Sequence, residues 1–449
     1  MNNKKIPIIF ILMEFPPVNT TGNYRSLKLL KYIGYFGIDP IVITLEADQA
    51  ASFFNAKIDI DLLKELPSYL NIYRIKSEPL RNYKYKYLQF LKIFFSTEDE
   101  IAKRWSKNLR NQLPEIILRH EPKAIFTSLP PFSSGLLASK ISLKYRIPLI
   151  VDMRDLWAGW SNVPKNSYLH FKKILKREAY IFNIASNIIG VTPQIIETFN
   201  KLHRNKFKNK FVYIPNGFDR EIDSIKSFKT SVNKKIIIGY VGSFYYIPKI
   251  KKNLILNKIN LLNYIKYEPI KENWLYRSPY FFFLTIKKLI ENNPSFKHKI
   301  VIEFIGNTPN WLIKMVEEFE FIDIVIFHGF VTSKKSIELQ KRFDYFLATS
   351  EKVIGNPHYC LPSKIFDYVG ANKPILGFVT EGIQKEFIKN ANLGKVFNVE
   401  DIEQSAIELY SYLNTIHTIE PNIEYLQQFH RKVIAENIAK TILQNVDNC

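Results

Sequence analysis

Residues 355–377 read GNPHYCLPSKIFDYVGANKPILG, and this stretch predicts a loop, a short helix and a buried strand in succession. Its first residues are typical of turns, and Pro362 suits the first turn of a helix, where a missing N–H costs little. Three apolar residues then recur at the spacing of one helix face: Ile365, Phe366 and Val369. Ile375–Phe378 reads as the next strand. The stretch therefore indicates an α/β domain.

The first turn of this predicted helix is a candidate phosphate site. Helix N-termini carry free N–H groups and a partial positive charge. Ser363 and Lys364 stand in that turn, and Lys364 adds a full positive charge. Asp367, one turn further along the same face, can accept hydrogen bonds from ribose hydroxyls. The alternative interpretation is a capped surface helix without a ligand.

The segment Leu361-Pro-Ser-Lys-Ile-Phe-Asp-Tyr368 resembles the donor-binding signature of glycosyltransferase family 4, in the branch that reads Leu-Pro-Ser-Lys-x-x-Glu/Asp-Tyr. The resemblance implies the GT-B fold, an α/β architecture of two Rossmann-like doubly wound domains facing a cleft, with a C-terminal helix that crosses back. It also implies that Lys364 lies near the donor's diphosphate. Many members carry two Glu spaced E-x7-E. The second falls at Asp367 but the first falls at Tyr359, so that pattern is incomplete here.

Length and composition agree with a large α/β chain. The 449 residues, of which 46% are hydrophobic, are enough for two or three domains with apolar cores. Residues 6–13 read as a first strand and not as a signal peptide. The two cysteines, Cys360 and Cys449, favour a reducing cytoplasm. No run reaches the ~20 apolar residues of a membrane span, so we expect at most peripheral membrane contact.

The net charge of +21 favours contact with polyanions such as anionic lipid, nucleic acid or phosphorylated substrates. Because the chain is rich in Lys, Ile and Asn throughout, part of this charge is equally explained by composition alone. Residues 80–95 contain no acidic residue and interleave basic with aromatic side chains. This pattern is compatible with a helix on an anionic membrane, with stacking on single-stranded nucleic acid, or with an ordinary core-facing helix.

The first half of the chain alternates predicted strands with helical stretches, which indicates a parallel sheet. The strands are expected at residues 6–13, 40–45, 124–128, 148–152 and 187–192. Residues that follow the carboxyl ends of such strands face the binding crevice. Three of these segments resemble a family 4 subgroup and carry Gly22 with Arg25, Ser128 in Ser-Leu-Pro-Pro-Phe-Ser, and Asp152, Arg154 and Asp155 in Asp-Met-Arg-Asp-Leu-Trp.

The resemblance implies roles for these residues. Asp155 is the candidate for contacting the acceptor hydroxyl, and Arg154 and Asp152 complete the catalytic candidates. Gly22, Arg25 and Ser128 are expected to line the acceptor side of the cleft. The alternatives are a structural ion pair between Asp152 and Arg154, and an ordinary turn with Arg25 solvated on its helix.

The second half restarts the strand pattern at residues 235–241 and continues it with a helix expected at residues 280–292 and strands expected at residues 299–305, 322–327 and 345–349. Gly242-Ser243 follows the first of these strands, where backbone N–H groups can meet a diphosphate. The subgroup has an Arg-x-Pro segment shortly afterwards. Its match is Arg277-Ser-Pro279, displaced by an insertion of about residues 247–274. If the insertion loops out, the resemblance implies that Arg277 stabilises the leaving diphosphate; if the insertion reorganises this edge, Arg277 has no such role.

The predicted domains follow from these segments. Residues 1–220 form an acceptor-side Rossmann-like domain that ends in a Pro-Asn-Gly-x-Asp turn, and residues 221–234 form a linker. The resemblance implies that residues 235–419 form the domain that binds the nucleotide sugar, and that residues 420–449 form a helix that returns to the first domain.

The resemblance implies a retaining, metal-independent glycosyltransferase of the hexosyltransferase type. Its donor is a nucleoside-diphosphate sugar, and its acceptor is a saccharide, expected to be lipid-linked, in surface polysaccharide or lipopolysaccharide biosynthesis. We expect no cofactor besides the nucleotide sugar, no nucleic-acid partner, and a cytoplasmic location at the inner face of the cell membrane. The sequence shows no His/Cys set with metal-ligand spacing, and its D-x-D pair, Asp59 and Asp61, lies in a polar helical segment. The alternative is a non-catalytic GT-B-like subunit of a polysaccharide assembly complex.

Overall fold

In a computed structural model of the chain, the described residues are 5–78, 100–161, 165, 167–230, 232, 235–246, 248 and 267–447. They divide into two compact units. The first comprises the described residues up to Asp219, residues 267–270 and those from Arg431 onward. The second comprises the described residues from Arg220 to 248 and those from Lys271 to His430.

The strands of the described residues are β1 Ile6–Ile11, β2 Val18–Asn19, β3 Ile38–Leu45, β4 Lys57–Ile58, β5 Asn71–Ile75, β6 Ala124–Leu129, β7 Leu149–Met153, β8 Asn187–Gly190, β9 Phe211–Tyr213, β10 Phe228–Lys229, β11 Ile236–Val241, β12 Glu272–Asn273, β13 Ile300–Ile305, β14 Val325–Gly329, β15 Tyr345–Thr349, β16 Lys352–Val353, β17 Ile375–Phe378, β18 Gly394–Val396 and β19 Thr418–Ile419.

The α-helices of the same residues are α1 Asn23–Ile33, α2 Ala47–Phe54, α3 Glu100–His120, α4 Phe132–Tyr145, α5 Tyr168–Ile184, α6 Pro193–Leu202, α7 Tyr280–Asn292, α8 Asn310–Glu318, α9 Ser333–Gln340, α10 Lys364–Val369, α11 Ile383–Asn390, α12 Ile402–Leu413, α13 Ile423–Gln427 and α14 Arg431–Asp447.

Within the described residues of the first unit, seven strands form a parallel sheet in the order β5-β3-β1-β6-β7-β8-β9. Its central strands are continuously apolar because a parallel sheet is covered on both faces; every residue of β6 is buried. The C-terminal helix α14 packs against α1, and the buried side chains of both cover β1 and β6. Ile33, Ile434 and Ile438 belong to this core.

The second unit repeats the arrangement. In its described part, six parallel strands follow the order β14-β13-β11-β15-β17-β18. Phe282 and Phe283 of α7 pack into its core, and α12 covers the same region through Leu409 and Leu413. The chain therefore contains two Rossmann-like α/β units, as the sequence predicts.

Several element boundaries differ from the predictions. The described part of residues 221–234, expected to be a linker, includes β10, which pairs antiparallel with β19 inside the second unit. The strand expected to start at Ile322 begins at Val325, because the N–H groups of Ile324 and Val325 donate to the carbonyl of Phe321 and form a turn. The final helix begins at Arg431 and not at residue 420.

Residues 80–95 and residues 249–266 of the insertion lie outside the described residues. In the part of the chain that the structure describes, no helix has the length and hydropathy needed to cross a membrane.

Candidate functional site

Two glycines close the carboxyl edge of the second sheet. Gly242 follows β11 with φ +112°, and Gly306 follows β13 with φ +135°, both in the region that favours glycine. A Cβ on Gly306 would lie 2.5 Å from the carbonyl oxygen of Gly242, and a Cβ on Gly242 would lie 3.3 Å from Nζ of Lys364. The N–H of Gly242 donates to Ile305. Gly242 therefore contributes the space left by its missing side chain and not a free N–H, while Ser243 beside it is half-buried.

Lys364 points at this edge from the first position of α10. Its Nζ donates to the hydroxyl of Tyr240 and lies over that ring, 4.0 Å from the centroid. Tyr240 stacks in turn on Phe244 at 3.9 Å. Burial of the amine and the nearby charge of Arg277 hold the pKa of Lys364 well below its usual range. Among the described residues, no carboxylate forms a salt bridge with this amine, so an anionic ligand would restore its charge.

Arg277 lies at the same edge, in the turn that precedes α7. It is buried, and its Nη1 lies 2.8 Å from Oε2 of Glu351, a residue just past the end of β15. The guanidinium also lies over the rings of Tyr245 and Trp274, at 5.0 and 5.5 Å from the centroids. The carbonyl of Arg277 accepts from the Thr349 hydroxyl at 2.9 Å. Arg277 is thereby fixed in place despite the insertion that precedes it.

Glu351 joins Arg277 to His358. Its Oε1 lies 3.2 Å from Nε2 of His358, and both side chains are buried. Burial favours the neutral carboxyl group, but the charge of Arg277 and then that of His358 outweigh it and hold the pKa of Glu351 well below its usual range. The sequence analysis missed Glu351 and His358. The position of Glu351 two residues after a buried strand was the signal that could have found it.

The structure thus brings Gly242, Arg277 and Lys364 together around Tyr240. Ser363, which immediately precedes α10, and Asp367 on α10 are exposed. The helix has six residues and begins at Lys364, not at Pro362. The N–H groups of Ile365 and Phe366 donate to the carbonyls of Pro362 and Ser363, at 3.1 and 3.0 Å. The expectation of free N–H groups in this turn is therefore wrong in part, since two of its N–H groups already donate to backbone carbonyls.

In the first unit, Arg25 and Asp152 form a buried pair. Arg25 Nη2 and Nε lie 2.8 and 2.9 Å from the two carboxylate oxygens, and the Ser128 hydroxyl donates to the same carboxylate at 2.7 Å. Arg25 also donates to the carbonyl of Pro215 at 2.6 Å. The alternative of a solvated Arg25 is therefore wrong. Through the hydrogen bonds from Arg25 and Ser128, Asp152 ties β7 to α1 and β6.

Arg154 pairs with a residue that the sequence analysis did not single out. Its Nη2 lies 2.8 Å from Oε2 of Glu14, and its guanidinium also donates to the carbonyls of Gly22 and Pro130. A Cβ on Gly22 would meet the ends of the Glu14 and Arg154 side chains, so a larger residue there would have to displace this ion pair. The alternative of an Asp152–Arg154 ion pair is therefore wrong, since each residue has another partner.

Asp155 follows these residues and is half-buried. The residues that follow Asp155 in the same turn are held in place by contacts of their own. Trp157 stacks on Phe132 with ring centroids 5.1 Å apart, and the N–H of Ala158 donates to Glu178 at 3.0 Å. Glu178 is fully buried and its other oxygen lies 2.8 Å from Nε2 of His203. The turn after β7 is therefore a preformed feature of this edge.

The Pro-Asn-Gly-x-Asp turn ends at Asp219, which anchors it to α1. Its carboxylate accepts from Lys28 at 2.7 Å, from Lys31 at 2.9 Å and from the Tyr32 hydroxyl. Burial alone would raise the pKa of Asp219, but the hydrogen bonds from Lys28, Tyr32 and Lys31 lower it to about 2.

Within the described residues, no three His, Cys, Asp or Glu side chains converge as metal ligands would. The independence of the reaction from metal ions stays a prediction.

Solved structures resemble the chain over nearly its whole length. Sucrose-phosphate synthase from Thermosynechococcus elongatus is 14% identical with a TM-score of 0.60, covering 99% of this chain and 100% of that one. Anabaena HepE, in complex with UDP and glucose, is 15% identical with a TM-score of 0.51, covering 99% and 98%. WaaG, a glycosyltransferase involved in lipopolysaccharide biosynthesis, is 14% identical with a TM-score of 0.51, covering 98% and 99%.

No protein-family model matches the chain, and no curated protein matches its sequence. At sequence identities of 14–15%, the similarity to these structures is evidence for the fold alone. The two parallel-sheet units and the similarity to these structures show that the chain has the GT-B fold.

Proposed function

We propose that this protein is a glycosyltransferase that moves a sugar from a nucleoside-diphosphate sugar to a saccharide acceptor. The convergence of Lys364, Arg277 and Gly242 around Tyr240 carries the proposal. An arginine, a lysine amine that gains its charge beside an anion, and a space left by a glycine at the carboxyl edge of a parallel sheet suit a diphosphate. The likeness to a structure that holds UDP and glucose, and to a glycosyltransferase, supports the same conclusion.

The chemistry assigned to these residues is electrostatic. As the glycosidic bond of the donor breaks, negative charge accumulates on the nucleoside diphosphate. Lys364 and Arg277 stabilise that charge in a partly dehydrated site, where a preorganised cation acts more strongly than in water. The Lys364 amine takes up a proton as the diphosphate approaches, because the anion reverses the effect of burial. Asp367 on α10 and Ser363 just before it are exposed and are assigned to the donor's remaining polar groups.

The first unit is assigned to the acceptor. Asp152 and Arg154 act as positioning residues, because their charges are already paired with Arg25 and Glu14. Asp155 is the residue assigned to the acceptor hydroxyl, on a turn that Trp157 and Glu178 hold in place. We further propose retention of the anomeric configuration without a metal ion, a lipid-linked acceptor, and a place in surface polysaccharide or lipopolysaccharide biosynthesis at the inner face of the cell membrane.

One observation favours a second candidate, a non-catalytic GT-B-like subunit of a polysaccharide assembly complex. Tyr359 stands where many family 4 members have the first Glu of E-x7-E. It is buried, and its hydroxyl donates to Glu272. The position therefore offers no carboxylate to a donor sugar. Such a subunit would bind a nucleotide sugar without turning it over.

The two candidates are separated by measuring binding and turnover together. Thermal shift against a panel of nucleotide sugars identifies the donor, since a ligand at 100 times its Kd stabilises by about 2.7 kcal/mol. Release of nucleoside diphosphate from that donor then reports catalysis. We expect Lys364→Ala to lower the rate by roughly 10²–10³-fold, because a charge that stabilises the transition state is lost.

Lys373→Ala is the matched control, since Lys373 is a half-buried lysine a few residues further along the same stretch. It should leave the rate unchanged. Binding without turnover in the unmodified protein would favour the subunit. A protein that no nucleotide sugar stabilises, or a Lys364→Ala variant with full activity, would overturn the enzyme assignment.

A further inference from the structure

A groove runs between α3 and α4 on the first unit and encloses a cavity of about 140 Å³. Its floor is apolar and buried, and is formed by Leu113, Leu136, Leu137 and Ile141. A cavity of similar size, lined by such side chains, stays dry and accepts a benzene-sized apolar group. The floor therefore suits a hydrocarbon segment and not a polar ligand.

The rim of the same groove is basic. It carries Lys103 and Arg110 on α3, and Lys140 and Lys144 on α4. All four are exposed, and none of the described residues that line the groove is acidic. Among the described residues, no carboxylate forms a salt bridge with any of the four. Two cations on each wall above an apolar floor match an amphiphile with an anionic head.

The groove starts at the edge of the sheet that carries the acceptor residues. Helices of a doubly wound unit begin near the carboxyl ends of the strands, so the first turns of α3 and α4 lie at that edge. Ser133, at the upper end of the groove, belongs to the segment that begins with Ser128. From Ala102 to Leu113 the groove extends over roughly 16 Å at 1.5 Å per residue, away from this edge.

We propose that this groove binds a single anionic lipid, with part of its chain on the leucine floor and its phosphate against the basic rim. The assignment deepens the proposed function and rests on it in one respect, since the lipid is taken to be the anchor of the acceptor. Because the groove begins at the acceptor edge, a lipid bound along it lies next to the residues assigned to the acceptor.

The test is calorimetric titration of the full chain with alkyl phosphates of increasing length, each below its micelle concentration. Because each buried methylene contributes about 0.8 kcal/mol, we expect the affinity to rise roughly fourfold per methylene until the groove is filled. Inorganic phosphate and dodecyl maltoside, which carry only one of the two features, should each bind at least tenfold more weakly than dodecyl phosphate. Binding that is independent of chain length would overturn the proposal.

Charge-reversal variants locate the site. Lys140→Glu/Lys144→Glu should weaken dodecyl phosphate binding at least tenfold, and Lys103→Glu/Arg110→Glu on the other wall should do the same. Arg119→Glu/Lys123→Glu makes the same charge change at exposed residues outside the groove and should have no effect. An equal loss in the control pair would show general electrostatic attraction, and binding to anionic vesicles without binding of the monomeric amphiphile would show a surface contact; either result would overturn the proposal.

The test of the lipid site and the test of the proposed function can fail independently of each other. Stabilisation by the donor nucleotide depends on the second unit and should persist in both groove variants. A protein that binds alkyl phosphates but no nucleotide would defeat the enzyme assignment and leave the lipid site standing. A protein that binds nucleotides but no alkyl phosphate would do the reverse.

Discussion

The two sheets differ in how the charged side chains at their carboxyl edges are paired. In the first unit the buried charges are paired within the protein, Arg25 with Asp152 and Arg154 with Glu14. In the second unit Arg277 has one carboxylate partner, Glu351, and Lys364 forms no described ion pair. At the first edge, these ion pairs hold the structure that positions a turn. The second edge holds a lysine amine without a described carboxylate partner, and an anionic ligand would restore the charge of that amine.

Substitution of an arginine at each edge is expected to give the largest difference between the two edges. Arg25→Met removes one partner of a buried pair and leaves Asp152 uncompensated, so we expect a loss of about 3–5 kcal/mol in unfolding free energy. Arg277→Met leaves Glu351 beside His358 and should also lower stability. The difference lies in ligand response, measured by denaturant unfolding with and without the donor nucleotide.

Arg25→Met should keep the full stabilisation by the nucleotide, while Arg277→Met should lose most of it. If both variants respond alike to the nucleotide, the two edges do not differ in the way the contacts indicate.

The second effect concerns the close approach of Gly306 to Gly242. Gly306→Ala places a Cβ against a backbone carbonyl at a positive φ, so both strain and a clash are expected, at about 2–3 kcal/mol. Gly355→Ala is the matched control, because its φ is +75° and no atom lies within 4 Å of the new Cβ. It should cost about 1 kcal/mol from backbone strain alone. Thermal unfolding of the pair checks this, and equal costs would show that the two loops have room to separate.

Much of the fold could be predicted from the sequence, because parallel sheets leave continuous apolar strands between amphipathic helices. The helix Tyr280–Asn292 and the strand Tyr345–Thr349 have the bounds that the pattern predicts. The likeness to a donor signature also pointed to Lys364, which the structure places beside Gly242. Local sequence patterns therefore predict individual helices and strands, and a short motif can indicate at which edge of the sheet its residues lie.

Pairing between distant residues could not be predicted. The Arg25–Asp152 pair joins residues 127 positions apart, and Glu14 reaches Arg154 across 140. Their contact depends on the order of strands in the sheet, which periodicity does not specify. The start of α10 was misplaced for a local reason, since Pro362 and Ser363 accept the first N–H bonds with their carbonyls and stay outside the helix.

Asp219 provides a smaller test that the charges of the first unit are structural. Its pKa of about 2 lies below the ordinary 3.8, so the ionised carboxylate stabilises the fold. This contribution is fully present above pH ~4 and is lost as the pH falls through about 2. Asp219→Asn should therefore cost about 1–2 kcal/mol at pH 7, after allowance for solvent screening, and almost nothing near pH 2. Unfolding curves of both proteins across this range provide the measurement, and a cost that is the same at both ends would contradict the assignment.

The smallest expected effect is the uptake of a fraction of a proton by Lys364. We expect this uptake when a ligand binds, and not as a change in the stability of the fold. Burial and the charge of Arg277 hold the pKa of this amine well below its usual range, and a bound diphosphate raises it. Between these two values, binding takes up a proton and the affinity for the nucleotide falls as the pH rises, by at most tenfold per pH unit. Titration calorimetry in buffers of different ionisation enthalpy measures the uptake. Lys364→Met should abolish it and Lys373→Met should not, whereas an unchanged uptake in Lys364→Met would assign the proton to another group and remove the contrast between the two edges.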